Sequence, residues 1–86
     1  MELANEEKII LDRFRERCHI AGKVEKGYGM RAEALRYTGR RREADVDHGL
    51  EKLVEKEVLR PNAAKTWYFL TERGAEIVAR LPLGGS

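Results

Sequence analysis

Three consecutive arginines, Arg40, Arg41 and Arg42, stand directly ahead of a run rich in carboxylates, and they are the residues of this chain best suited to a chemical task. Clustered guanidinium groups neutralise phosphates, and that term supplies most of a protein's sequence-independent affinity for nucleic acid. Taken alone, such a run serves equally as a solvated turn. The charge around it is asymmetric. Between residues 22 and 42, seven Lys and Arg side chains stand against Glu25 and Glu33; between 43 and 58, six carboxylates stand against Lys52 and Lys56. The net charge of +2 therefore conceals a basic segment followed by an acidic one, and contact with a polyanion has to come from a local patch centred on Arg40, Arg41 and Arg42.

Other chemistries find less support. Cys18 has no second cysteine to pair with, and His19 and His48 lie too far apart in sequence to suggest a local metal site, so a structural thiol is expected and no metal or cofactor is implied. Asp45 and Asp47, two apart on a helix, diverge. Gly27 and Gly29 ahead of a helix loosely suit an anion, but the third glycine and the Lys-Ser/Thr step of a phosphate loop are missing, and GYGMR reads as a turn. With no nucleophile elbow and little room for a concave pocket in 86 residues, an enzyme is not expected. No apolar run is long enough for a signal-peptide core or a membrane span, so the expected setting is the reduced cytoplasm.

The elements that would position these residues follow from spacing. One domain over residues 1–82 is expected, with 83–86 as a flexible tail. Ile10, Phe14 and Cys18 recur every four residues, which predicts an amphipathic helix from Asn5, its N-cap, to about Cys18, closed by Gly22. The glycine-rich stretch 22–29 predicts a loop or a very short strand around Val24. Met30, Ala34, Leu35 and Tyr37 predict a short second helix ending at Thr38-Gly39. Val46, Leu50, Leu53, Val54 and Val58 mark the apolar face of a third, with Asp45 as cap or Glu43 and Asp45 in its first turn. Pro61 and the turn Asn62–Lys65 predict a hairpin between Leu59-Arg60 and a strand at 66–70, after which Thr71 caps a last helix with Ile77, Val78 and Leu81 buried. The expected class is mainly α with a small β-hairpin wing, in the order helix, helix, helix, hairpin, helix.

GLEKLVEKEVLRPN and, after a short gap, WYFLTERGAEIV resemble the winged helix-turn-helix family, in particular small prokaryotic transcription regulators of the PadR and MarR groups. Leu50 and Leu53, then Leu59, then Leu70-Thr71-Glu72-Arg73-Gly74 fill the family's pattern over about the C-terminal half. Glu57 stands where the family commonly has Gly at the end of the recognition helix, which puts a helical extension or a strained C-cap there. The resemblance implies binding of double-stranded DNA. The start of the third helix would enter the major groove, Arg40, Arg41 and Arg42 would meet phosphates or guanine edges, and Arg60, Asn62 and Lys65 would set the wing on the backbone or minor groove. Arg31 and Arg36 would add phosphate contacts, and His48 would reach a base or phosphate or else stand idle in solvent. Glu43, Asp45 and Asp47 fall on the groove-facing positions and oppose phosphate, although a carboxylate can accept from the cytosine amino group.

Matching Leu70 to the family's buried leucine puts Tyr68 in the core and leaves Trp67 and Phe69 on the outer face of the wing sheet. That patch implies a homodimer reading a pseudo-palindrome, unless the first helix, through Leu3, Ile9 and Phe14, covers it within one chain. A nucleoid-associated regulator of transcription is thus the leading expectation. A winged-helix module that binds a protein and never touches DNA is the other.

Overall fold

The first helix, α1 (Asn5–Ala21), places Ile10, Leu11, Phe14 and Cys18 in the core, as the four-residue spacing requires. These residues belong to the computed structural model, which describes residues 3–36 and 43–81 of the chain. Asn5 is not the N-cap. The Lys8 amide donates to the Ala4 carbonyl, so the helical ladder already starts at Ala4 and Asn5 lies inside it. At the other end Gly22 adopts the left-handed conformation and its N–H donates to the His19 carbonyl, closing the helix three residues beyond Cys18.

The short strand falls later than Val24. Gly29–Arg31 form β1, followed directly by α2 (Ala32–Arg36), so Met30 belongs to the strand and not to the second helix. Its position is fixed by pairing at long range. β1 runs antiparallel to β3 (Trp67–Leu70), with Gly29, Met30 and Arg31 opposite Phe69, Tyr68 and Trp67. β2 (Leu59–Pro61) pairs with the other edge of β3, giving a three-stranded sheet in the order β1-β3-β2. Pro61 is tolerated because β2 is an edge strand with no further ladder to supply. The expected end of the second helix at Thr38-Gly39, and Arg40, Arg41 and Arg42 after it, lie outside the described residues.

α3 (Glu43–Glu55) buries Val46, Leu50 and Leu53, and Asp45 sits in its first turn. It ends in a two-bond left-handed cap: the Val58 amide donates to the Leu53 carbonyl, the Glu57 amide to that of Val54, and Glu57 itself has φ 62°. Glu57 is therefore left-handed with a Cβ in place, a strained C-cap and not a helical extension.

The step Leu70-Thr71-Glu72-Arg73-Gly74 has a physical explanation. The Thr71 hydroxyl caps α4 (Glu72–Arg80) by accepting from the Gly74 amide, and it donates back to the carbonyls of Glu57 and Val58. Gly74 lies against the same carbonyl, and a Cβ there would stand 2.1 Å from the Val58 oxygen. One hydroxyl and one missing methyl thus lock the start of α4 onto the turn after α3.

The protein is mostly helical with a small three-stranded antiparallel sheet. α1 packs on α3 and α4, while the inner face of the sheet, Met30, Leu59, Tyr68 and Leu70, closes the core. Among the described residues, Glu7 is the charge buried against it. Glu7 is 3% exposed, and its carboxylate accepts twice from the Lys56 ammonium, at 2.6 and 2.9 Å, joining the start of α1 to the turn after α3.

Candidate nucleic-acid interface

The hairpin tip is organised by Asn62. Its side-chain carbonyl accepts from the amides of Thr66 and Trp67, its amide nitrogen donates to the Thr66 hydroxyl, and its backbone bonds to Lys65 and Trp67. Both ends of the Asn62 side chain are thereby engaged within the turn. Lys65, at φ 57°, sits exposed at the tip.

The alternation of β3 divides its aromatic block as expected. Tyr68 is 6% exposed beneath the sheet, whereas Trp67 is 37% exposed and Phe69 half-buried above it. α1 does not serve as their cover, since it packs on α3 and α4 and holds Phe14 in the core. The Trp67 and Phe69 rings lie 6.3 Å apart between centroids and 13° from parallel. Cross-strand neighbours complete the face. The Arg31 guanidinium stands over Trp67 at 5.6 Å from the ring centroid, and Arg60 faces Phe69 from β2. Opposite Phe69 on β1 is Gly29, where a Cβ would come within 2.5 Å of two ring carbons. Phe69 therefore rests on bare backbone. Sequence reading assigns Gly29 to a turn and gives Lys26 no role, because both acquire meaning only through the β1–β3 register.

Arg31, Arg36, Lys65 and Trp67 line one shallow depression beside the hairpin tip, together with Glu33 and Thr66. Three of the expected phosphate ligands thus converge from β1, α2 and the turn. Arg60 lies in a different hollow, with Lys26, Phe69 and Glu72. His48 is exposed on α3, as is Asp45.

Carboxylates oppose this basic corner. The Arg36 guanidinium donates to Asp47 at 2.6 Å, and a groove between α3 and the hairpin is lined by Asp47, Glu51 and Glu55 as well as by Arg36 and Lys65. Tyr68 also lines this groove. Burial raises its pKa above the usual 10.0; Arg36 lowers it, and Asp47 and Glu51 add to the rise, so it stays a neutral donor at physiological pH.

The Cys18 thiol is buried, and burial pushes its pKa up despite Arg15 and a backbone hydrogen bond at Glu25, which fits a packing role. Among the described residues no three His, Cys, Asp or Glu side chains gather into a metal site, and no helix is long and apolar enough to cross a membrane. No family model, curated protein or solved structure matches the chain.

Proposed function

We propose that the protein is a winged helix-turn-helix that binds double-stranded DNA as a small transcription regulator, with β2, the turn and β3 as its wing. The carrying observation is the convergence of Arg31, Arg36 and Lys65 in one depression at the corner where the chain leaves α2 toward Arg40, Arg41 and Arg42. The element order and the β1-β3-β2 sheet support the same reading. Phosphates supply affinity at this corner, and the wing tip supplies orientation. The exposed carboxylates of α3 restrict what its start can read: Asp45 repels phosphate and accepts only from donor edges such as the cytosine amino group.

Titrating a labelled random-sequence duplex at two salt concentrations tests this reading. Binding should weaken steeply with salt and should fall further in the double variant Arg41→Ala with Lys65→Ala, with a shallower salt slope. Absence of any duplex binding by the folded protein at low salt rejects it. A second reading draws on the acidic groove of Asp47, Glu51 and Glu55, which suits a basic segment of a protein partner.

A further inference from the structure

The outer face of the sheet is more than a plain apolar patch, and it adjoins the proposed duplex-binding corner, with which it shares Arg31 and Trp67. Its centre is Trp67 and Phe69, near-parallel and at 6.3 Å, close to the spacing of about 6.6 Å that a strand gives to residues two apart. Its edges are cationic on both sides, with Arg31 on β1 and Arg60 on β2, and Lys26 shares the hollow at the Phe69 end with Arg60 and one carboxylate, Glu72. Among the described residues no ion pair involves Arg31, Arg60 or Lys26.

We infer that this face is a stacking platform for single-stranded nucleic acid, in which Trp67 and Phe69 receive successive bases while Arg31, Arg60 and Lys26 meet the phosphates. Aromatic rings accept any base on their faces, and flanking cations track the backbone, a combination that binds single strands with little sequence preference. Gly29 serves the same purpose from beneath, because the absence of a Cβ lets the Phe69 ring lie down on β1 and present its other face. Charge separates this occupant from a second copy of the chain. A two-fold contact through the same face would bring the Arg31 and Arg60 cations of two chains together, which is unfavourable, whereas a polyanion neutralises them. The inference does not rest on duplex binding: the two sites share Arg31 and Trp67, but Phe69, Arg60 and Lys26 lie outside the depression proposed to meet duplex phosphate.

Trp67 is the chain's single tryptophan, so its fluorescence reports on this face and on the depression that adjoins it, and the Phe69 and Arg60 variants assign the signal to the face. Titration of the full chain with a short oligothymidylate should quench that emission to saturation, more weakly as salt rises. Phe69→Leu keeps apolar bulk without a π face and should cost about tenfold in affinity, and Arg60→Glu, at an exposed position, should cost at least as much with an unchanged circular dichroism spectrum. An unquenched Trp67, or Phe69→Leu binding as tightly as the parent, overturns the inference. So does a concentration-dependent dimer that Phe69→Leu converts to monomer, which would give the face to a second copy. A labelled duplex titrated against the parent chain keeps the two readings apart: duplex binding without oligothymidylate binding removes only the platform, and oligothymidylate binding without duplex binding removes only the duplex reading.

Discussion

Arg36 on α2 and Asp47 on α3 are joined by a 2.6 Å charge-assisted hydrogen bond across the mouth of the groove beside the hairpin. Both side chains are roughly two-fifths exposed, so the pair contributes little to stability, on the order of 1 kcal/mol or less. Its electrostatic effect on a ligand is larger, because it sets a carboxylate in the midst of the cations that the proposed DNA contact needs.

Asp47→Asn should therefore strengthen duplex binding several-fold at low salt and steepen the salt dependence, with a urea midpoint close to the parent's. Fluorescence anisotropy with a labelled duplex measures the first and denaturation the second. Unchanged or weaker binding would mean that this corner does not meet phosphate.

Gly74 gives a test of the lock between α3 and α4. Helix propensity alone predicts that Gly74→Ala stabilises by about 1 kcal/mol. The Cβ would meet the Val58 carbonyl at 2.1 Å, however, and relieving such overpacking costs about 3 kcal/mol, so the steric effect wins. Chemical denaturation should register a net loss, while Ala79→Gly at an exposed site of the same helix should lose only about 1 kcal/mol.

Glu57 offers the opposite case. A left-handed conformation with a Cβ costs about 1–2 kcal/mol, and the extra freedom of glycine in the unfolded chain takes back about 0.5–1 kcal/mol. Glu57→Gly should thus stabilise by about 0.5–1 kcal/mol in the same experiment. A loss of stability would show that the exposed Glu57 side chain contributes more than its backbone costs.

These two positions show what sequence could convey. Thr71 was legible because capping is local, whereas Gly74 and the departure at Glu57 stood out only through the family resemblance, since the need for a bare Cα at Gly74 comes from the distant Val58 carbonyl. The division of Trp67 and Phe69 from Tyr68 and Leu70 was legible from strand alternation. β1 was not, because Gly29-Met30-Arg31 carries one apolar residue and owes its extended form to hydrogen bonding with β3 forty residues away. With β1 went the cross-strand meaning of Gly29, the seat of Arg31 over Trp67, and the placing of Lys26. The Arg36–Asp47 and Glu7–Lys56 pairs were hidden for the same reason, since each joins segments distant in sequence.

Asp12 on α1 provides a pH-dependent test. Burial raises its carboxyl above the ordinary 3.8, partly offset by Lys8 and reinforced by Glu16. Because its pKa is higher in the folded state than in the unfolded one, its contribution to stability is fully present below pH 3.8 and is lost as pH rises through the folded value. Asp12→Asn should melt above the parent at neutral pH, and the difference should shrink toward zero at about pH 3. An equal difference at both pH values would place the effect elsewhere.

The central claim is that a basic corner formed by β1, α2 and the hairpin tip meets duplex phosphate. Backbone amide chemical shifts of the full chain, followed during addition of a short duplex at low salt, test it most directly. The account predicts perturbations concentrated at Arg31, Arg36 and residues 62–66, reversing as salt is added. Perturbations confined to the exposed side of α1 and α4, or none at all, would contradict it.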